Sequence, residues 1–278
     1  SDELLIAAVL SSNVNQVEAI LKSGQSIQIS GDGLKLAKRY LTTDPQLGNK
    51  RIRKGSLIRV QKNNHNQWKI TQLPEVEAAL VSIDANNGKI RALVGGFDFY
   101  LNQFNHVTQA WRQPGSSFKP FIYSASLEKG FTPATIINDA PIYFDAAQTG
   151  SKPWEPKNFD GKFGGPIRMR VALAQSKNLA SIRILQAISP RYAQDYITRF
   201  GFDSNRHPPY LPMALGAGSV TPLQMASGYA IFANGGYKVD PYFIERVEDD
   251  KGNIIQQTDP LVAGQNATQI IDPRNAFL

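Results

Sequence analysis

The chain has 278 residues, and its 42% hydrophobic and 19% charged residues exclude an intrinsically disordered protein. It contains no cysteine, which excludes disulfides, thiol catalysis and thiolate zinc sites. The formal net charge of +7 is compatible with a nucleic acid, an anionic membrane surface or an anionic polymer as partner, and it does not choose among them.

The first 73 residues predict a run of short strands. Hydrophobic residues alternate with polar ones, as at Val17 and Ala19 and again at Trp68 and Ile70. Five short strands in about 70 residues favour a small all-β barrel of the OB type. We therefore expect residues 1–73 to form an OB-like domain.

Residues 74–278 predict a second domain that begins with a hairpin. Hydrophobic residues alternate on both sides of Asn87-Gly88, a pair that supplies the positive φ angles of a tight turn. A helix should then begin near Ser116 and end at Gly130, because glycine is the usual left-handed residue that terminates helices.

Three further helices have sequence signals at their ends. One covers IRMRVALAQ, a second is capped by Ser189 and starts at Pro190, and a third is capped by Thr221 and starts at Pro222. A last hairpin is predicted over YFIERVE and NIIQQ. Strands at both ends with helices between them predict an α+β fold and not an alternating one.

The stretch RQPGSSFKPF places Ser116 and Lys119 three residues apart at a predicted helix start. Such a pair shares one helix face, and the serine lies near free backbone N–H groups. A partly desolvated lysine can lose its proton near neutral pH and act as base for the hydroxyl, which is the logic of S-x-x-K acylating enzymes. A second S-x-x-K, Ser126 to Lys129, lies deep in the same helix, where we expect Ser126 to bond back to a carbonyl.

Two companion motifs of such enzymes also occur. S-x-N is found at Ser11-Ser12-Asn13, which indicates a strand-end turn, and at Ser176-Lys177-Asn178, which lies between two helices and could place a hydroxyl and an amide beside Ser116. K-[ST]-G occurs once, at Lys22-Ser23-Gly24, and is typical there of a hairpin turn in the barrel.

Three longer segments carry these motifs in order: RQPGSSFKPFIYSASLEKG, WEPKNFDGKFGGPIRMRVALAQSKNLASIR and LGAGSVTPLQMASGYAIFANGG. Together they resemble class A penicillin-binding proteins of the 1a type of Gram-negative bacteria, over about Pro74 to Leu278. The leading barrel resembles the OB-like domain inserted in that type. The resemblance implies a penicillin-binding/serine β-lactamase-like fold for residues 74–278, an antiparallel sheet with helices on both sides.

The resemblance also implies a function, peptidoglycan D,D-transpeptidation at the periplasmic face of the bacterial inner membrane. Ser116 would attack the D-Ala-D-Ala bond of a stem peptide, Lys119 would be the general base, Ser176 would relay a proton to the leaving D-Ala, and Asn178 would bind the substrate amide. β-Lactam antibiotics would trap the acyl-enzyme. No cofactor and no metal are implied, and the three scattered histidines offer no paired-ligand spacing.

Two features of the resembled type are not found in the sequence. No glycosyltransferase domain precedes the barrel, so we expect that activity in a longer parent protein. The K-T-G strand should follow DPRNAFL, where the sequence ends, so we expect further polypeptide beyond Leu278 and an incomplete sheet in residues 74–278.

Alternative functions stay open at this point. A class A serine β-lactamase needs a glutamate downstream of S-x-N, but none lies between Glu155 and Glu245. An OB-type nucleic-acid binder is disfavoured because the barrel offers Tyr40 and Trp68 but no dense interleaving of aromatic and basic residues, and we expect no nucleic-acid partner. A non-catalytic module attached to an inactive fragment is the third reading. In the transpeptidase reading too, the barrel is a possible docking site for a cell-wall regulatory protein.

Four residues outside the motifs have two readings each. Trp154 and Asn158, in WEPKN, are candidate groove residues, and plain loop packing is the alternative. Gly216 and Gly218 are expected to permit close backbone packing and not to contact substrate.

Overall fold

A computed structural model describes residues 4–150 and 152–278. The chain divides into two compact units, residues 1–77 and 78–278, and each unit has a hydrophobic core of its own. Within the described ranges, none of the helices has the length and apolar character that crossing a bilayer requires.

The first unit is built on one five-stranded antiparallel sheet, with the five strands predicted from the sequence. They are β1 (Leu5–Ser12), β2 (Gln16–Leu21), β3 (Ser26–Ser30), β4 (Leu57–Lys62) and β5 (Trp68–Thr71). The strand order is β3-β2-β1-β4-β5, so the long connection from β3 to β4 crosses from one edge to the far side of β1. This connection contains short 3₁₀ turns (Gly31–Leu34, Lys38–Leu41 and Pro45–Lys50).

The core of this unit uses the alternation seen in the sequence. Val17 and Ala19 of β2 and Ile29 of β3 are fully buried, whereas Glu18 in β2 and Gln28 in β3 are exposed. The two edge strands also approach each other, because a Cβ on Gly33, just after β3, would lie 2.4 Å from the carbonyl oxygen of Trp68 in β5. The sheet therefore curls toward the closed form expected of an OB-like barrel.

Two of the motif matches lie in turns of this unit, as predicted. In Lys22-Ser23-Gly24, which joins β2 to β3, the Gly24 N–H donates to the carbonyl of Leu21 at 2.9 Å. At the end of β1, the Asn13 side chain accepts hydrogen bonds from the backbone N–H groups of Asn15 and Gln16. Both matches therefore serve local turn geometry.

The second unit combines two-stranded antiparallel pairs with helices, which makes it α+β as predicted. The pairs are β6 (Leu80–Ile83) with β7 (Ile90–Val94), β8 (Ile136–Asp139) with β9 (Gly165–Arg168), β10 (Tyr237–Lys238) with β13 (Thr268–Gln269), and β11 (Arg246–Glu248) with β12 (Ile254–Gln257). The helices are α1 (Lys119–Glu128), α2 (Ala146–Thr149), α3 (Met169–Ala174), α4 (Asn178–Ile188), α5 (Pro190–Ile197), α6 (Pro222–Ala233) and α7 (Pro273–Phe277).

Helix α1 lies at the centre of this unit. Its residues from Phe121 to Ser126 are all buried, which is typical of a helix surrounded by protein on every side. Phe121 packs edge-on against Phe200 and Phe202, with ring centroids 5.0 and 4.8 Å apart, and α4 lies alongside α1. The start of α1, where Lys119 lies, is therefore held inside the core.

The helix predicted over IRMRVALAQ is shorter than expected. It begins at Met169, because Gly165–Arg168 forms β9 and pairs with β8, with Ile167 opposite Ile137. The prediction was wrong for the first two residues of the segment, where strand pairing overrides the helical pattern.

The predicted helix ends are mostly confirmed, with one correction. Gly130 has φ +88° at the end of α1, and the Thr221 hydroxyl accepts from the Gln224 N–H in a capping box at the start of α6. Ser189 precedes α5 as predicted, but its hydroxyl makes no capping hydrogen bond and its φ is +76°. Ser189 is therefore the single residue that connects α4 to α5, and it is not a side-chain cap.

Candidate active site

Lys119 lies at the centre of the candidate site. Its side chain is 1% exposed, and its Nζ donates to the Ser176 carbonyl at 2.7 Å, to the Ser176 Oγ at 3.1 Å and to the Asn178 Oδ1 at 2.8 Å. These three bonds use all three protons of an ammonium group. Burial lowers the pKa of Lys119 from 10.5 to about 8, so about one molecule in ten carries a neutral amine at pH 7.

Ser116 lies one turn before this lysine and faces solvent. It is the second residue of a 3₁₀ turn, Gly115–Phe118, that leads directly into α1, and its carbonyl accepts the Lys119 N–H. Its exposed hydroxyl makes no hydrogen bond to another described residue. An accessible serine and a buried lysine thus occupy one helix start.

The turn that carries Ser116 is held from two sides. The Ser117 Oγ donates to the Pro114 carbonyl at 2.6 Å, and the Tyr229 hydroxyl of α6 donates to the Ser117 carbonyl at 2.7 Å. On the other side, Gly216 lies so close that a Cβ there would be 2.1 Å from the Gly115 carbonyl oxygen. The serine is therefore presented by a rigid turn.

The two glycines of the LGAGS segment have the packing role predicted for them. Gly216 has φ +71° and packs on Gly115, and a Cβ on Gly218 would lie 2.1 Å from the Nδ1 of His207. Their missing side chains let this segment support the Ser116 turn at backbone distance.

The S-x-N motif at Ser176 is a tight turn between α3 and α4. Ser176 has φ +53°, a left-handed conformation that is unusual for a residue other than glycine. The Ser176 N–H donates to the Leu173 carbonyl, and the Lys177 N–H donates to the Ala172 carbonyl, both at 2.9 Å. This turn directs the Ser176 hydroxyl and the Asn178 amide toward Lys119.

The two candidate groove residues make contacts with other protein groups. The Trp154 ring stacks on Phe144, with centroids 5.5 Å apart, and packs against the core of the unit, which corresponds to the loop-packing reading. Asn158 is 5% exposed, and its Oδ1 accepts from the backbone N–H of Asn178 at 2.8 Å. Asn158 thus contacts the S-x-N turn from behind.

Three charged residues near this turn form ion pairs that were not predicted. Lys177 is 8% exposed at its side chain and pairs with Asp160 at 2.8 Å and with the fully buried Asp139 at 3.8 Å. The hydrogen bond that the Lys177 Nζ donates to the Asp160 carboxylate raises the pKa of Lys177. No motif spacing marks Asp139, and the only signal was the lysine in the middle of S-K-N, which draws acidic partners.

The second S-x-x-K match has the structural role predicted for it. Ser126 is fully buried, and its Oγ donates to the Tyr123 carbonyl three residues earlier at 2.7 Å. Its hydroxyl points into protein, so this serine is not accessible from solvent.

Comparisons with known proteins extend over both units. A family model described as the penicillin-binding protein transpeptidase domain matches residues 78–271, and one described as the penicillin-binding protein OB-like domain matches residues 1–76. Penicillin-binding protein 1A of Neisseria flavescens is 49% identical over 277 residues, and that of Escherichia coli K12 is 43% identical over 265. These alignments cover 100% and 94% of this chain but 34% and 31% of the relatives, so the chain spans about a third of their length.

Solved structures show the same likeness. The crystal structure of penicillin-binding protein 1A from Haemophilus influenzae has a TM-score of 0.90 and 33% identity, and the match covers 100% of this chain and 44% of that one. The structure of PonA1 from Mycobacterium tuberculosis has a TM-score of 0.62 and 26% identity over 73% of this chain and 55% of that one. With the Lys119 centre and the two matched domains, these findings lead to one assignment: the chain belongs to the penicillin-binding protein transpeptidase family and carries that family's OB-like domain ahead of the transpeptidase domain.

Proposed function

We propose that the protein is a peptidoglycan D,D-transpeptidase that works through an acyl-enzyme on Ser116. The observation that supports this most directly is the contact of the buried Lys119 Nζ with the Ser176 Oγ and the Asn178 Oδ1, one turn from an exposed serine. Membership of the transpeptidase family supports a peptidoglycan substrate, and we propose that this substrate is the D-Ala-D-Ala end of a stem peptide.

In the first half of the reaction, the neutral Lys119 amine takes the proton of the Ser116 hydroxyl. The oxygen then attacks the carbonyl carbon between the two D-Ala residues. As the tetrahedral intermediate collapses, the C–N bond breaks and the leaving D-Ala nitrogen needs a proton. The 3.1 Å bond between the Lys119 Nζ and the Ser176 Oγ supplies a path, from the lysine through the hydroxyl to the leaving group.

In the second half, an amine of a neighbouring stem peptide attacks the ester carbonyl. The same groups then act in reverse, because the attacking amine loses a proton and Ser116 regains one. Asn178 would hold the substrate amide with the second proton of its Nδ2, because its Oδ1 accepts from Lys119 and its Nδ2 already donates one proton to the Lys157 carbonyl at 2.9 Å. The product is a cross-link between two stems, and no cofactor or metal takes part in this scheme.

The binding of β-lactams follows from the same chemistry. PonA1, a structural neighbour at 26% identity, is described in complex with penicillin V. We infer that penicillins acylate Ser116 of this chain as well. The matched family is one of transpeptidases, which disfavours a hydrolytic β-lactamase and a nucleic-acid-binding module.

The setting of the protein follows from its substrate. Peptidoglycan stems lie outside the inner membrane of a Gram-negative cell, so we place the protein at the periplasmic face of that membrane. We propose that residues 1–73 and residues 74–278 are separate functional domains. The OB-like domain, residues 1–73, is a possible binding site for a cell-wall regulatory protein. A glycosyltransferase activity is proposed for the parent protein, by resemblance to the 1a type.

The test is the denatured intact mass of the native gene product before and after incubation with a penicillin. We expect a gain of one antibiotic mass in the wild type and none in Ser116→Ala, because the ester forms on that hydroxyl. Ser126→Ala is the matched control, since it removes the serine of the second S-x-x-K and should leave the adduct intact. An adduct that persists in Ser116→Ala would remove Ser116 as the nucleophile.

A further inference from the structure

A buried amide and a buried carboxylate lie behind the S-x-N turn, and the reaction scheme above uses neither. Asn158 is 5% exposed, and Asp139, at the end of β8, is 0% exposed. A carboxylate buried this completely is costly unless its oxygens are satisfied. The hydrogen bonds that Asp139 and Asn158 make therefore indicate the role of the two residues.

Asn158 provides the cap that α4 lacks in its own sequence. Lys177 occupies the N-cap position of α4 and offers no side-chain cap. Instead, the Asn158 Oδ1 accepts from the N–H of Asn178 at 2.8 Å and from the N–H of Leu179 at 3.3 Å. These N–H groups have no partner within the helix, so an acceptor twenty residues earlier in the chain completes its first turn.

Asp139 fixes which way the Asn158 amide points. The Asn158 Nδ2 donates to the two Asp139 oxygens at 2.8 and 3.0 Å and to the Lys162 carbonyl at 2.8 Å. If the amide were turned over, its NH₂ would face the N–H donors of α4 and its oxygen would face a carboxylate. Gly164 N–H and Lys177 Nζ approach the second Asp139 oxygen, at 2.9 and 3.8 Å. The orientation is thus specified by buried groups alone.

The cap leads directly to the Lys119 centre. Asn158 accepts a hydrogen bond from the backbone N–H of Asn178. The Oδ1 of Asn178 in turn accepts from the Lys119 Nζ at 2.8 Å. The other two acceptors belong to Ser176, whose left-handed backbone needs outside support. The only positive charge in the turn, on Lys177, is directed at Asp160 and Asp139.

We propose that Asn158 and Asp139 are positioning residues for acylation, which hold the S-x-N turn against Lys119 and keep that lysine out of water. The proposal rests on the proposed function, because it concerns the same acylation of Ser116. Neither residue touches the reacting atoms; they act through Asn178 and Ser176.

Loss of this support has a specific kinetic signature. If the turn loosens, water reaches Lys119 and its pKa rises from about 8 toward the ordinary 10.5, so less neutral amine is present at pH 7. A rise of one pH unit in the midpoint lowers the acylation rate at pH 7 about tenfold. A defect of folding alone would lower the amount of active protein and leave the midpoint in place.

The first experiment measures the penicillin acylation rate of the native gene product against pH for Asn158→Ala. We expect the midpoint to rise by about one unit and the rate at pH 7 to fall about tenfold. Arg183→Ala is the matched control: its guanidinium donates to the carbonyls of Ala140 and Pro141, which follow β8, and its two hydrogen bonds do not involve the S-x-N turn. It should lower the melting temperature and leave the midpoint unchanged. An unmoved midpoint in Asn158→Ala, or an equal shift in Arg183→Ala, would overturn the proposal.

The second experiment exchanges the two side chains. Asn158→Asp alone sets two carboxylates about 3 Å apart and should slow acylation at pH 7 at least tenfold. Adding Asp139→Asn restores the donor–acceptor pair between the two positions, with the new amide donating and the new carboxylate still capping α4, and only the Lys162 carbonyl is left without its donor. We expect the double variant to recover at least half of the lost rate on a logarithmic scale. A double variant no faster than Asn158→Asp would contradict the proposal.

The two proposals fail in different ways. A wild type that forms no penicillin adduct would overturn the proposed function and this inference with it. A wild type that is acylated normally, beside an Asn158→Ala variant with the same midpoint, would overturn the positioning role alone.

Discussion

His207 is a buried titratable side chain next to the serine turn. It is 1% exposed, its ring stacks on Phe118 at 4.9 Å with the planes 9° apart, and neither ring nitrogen has a hydrogen-bond partner among the described residues. Burial lowers its pKa from 6.5 to about 4, and the charge of Asp203 opposes this only in part. The ring is therefore held neutral near pH 7.

This histidine should make the fold sensitive to mild acid. Between pH 6.5 and 4, His207 binds a proton in the unfolded chain but stays neutral in the folded chain. The free energy of unfolding therefore decreases as the pH falls from about 6.5 to 4. Between pH 7 and 5 we expect His207 to account for about 2 kcal/mol of lost unfolding free energy. Urea unfolding of the wild type and of His207→Leu at both pH values gives the measurement. An equal pH dependence in both proteins would contradict the assignment.

At the scale of single residues, sequence reasoning found what short motifs encode. Spacing marked Lys119, Ser176 and Asn178 as candidates, the family resemblance selected them, and the fold brings their side chains into contact. Asp139 was missed because its partners, Asn158 and Lys177, are 19 and 38 positions away and no periodic pattern connects them. Only the folded chain shows which distant polar groups satisfy one another.

At the scale of elements, sequence signals predicted which helices and strands exist better than they predicted where each one begins and ends. The first helix was expected from Ser116, but it opens with a 3₁₀ turn and becomes α-helical at Lys119. Pro120 has no N–H to give to the Ser116 carbonyl, which the Lys119 N–H takes instead in a tighter bond. The strand Gly165–Arg168 was hidden for another reason, since its partner β8 lies 26 or more residues earlier.

The turn before α1 depends on close approach at Gly216. Gly216→Ala would place a methyl group 2.1 Å from the Gly115 carbonyl oxygen and force the Ser116 turn to shift. We expect penicillin acylation to slow at least tenfold, because even small displacements of a nucleophile are costly in rate.

Gly130→Ala is the matched control for that change. It has a similar left-handed φ of +88°, but a Cβ there meets nothing within 4 Å. Its effect should be limited to about 1 kcal/mol of backbone strain, visible as a lower melting temperature with normal acylation. Equal acylation rates in the two variants would show that contact with Gly115 does not position the serine.

At the scale of the whole molecule, the two units have separate cores, which favours separate stabilities. Ile29 is fully buried in the first unit, and Ile29→Ala should cost that unit about 2–5 kcal/mol. We expect a lowered unfolding transition for the OB-like unit by calorimetry, with an unchanged acylation rate below that transition. A fall in acylation in step with the loss of stability would mean that the second unit depends on the first for its active form.

The left-handed backbone of Ser176 has a consequence for how such a domain can be improved. At φ +53° a serine is held at a cost of about 1–2 kcal/mol that glycine would avoid, but glycine has no hydroxyl. At this position, selection for thermal stability therefore favours glycine, whereas selection for turnover favours serine. A search for stabilising substitutions would favour glycine, the residue that removes the hydroxyl of the proposed proton path.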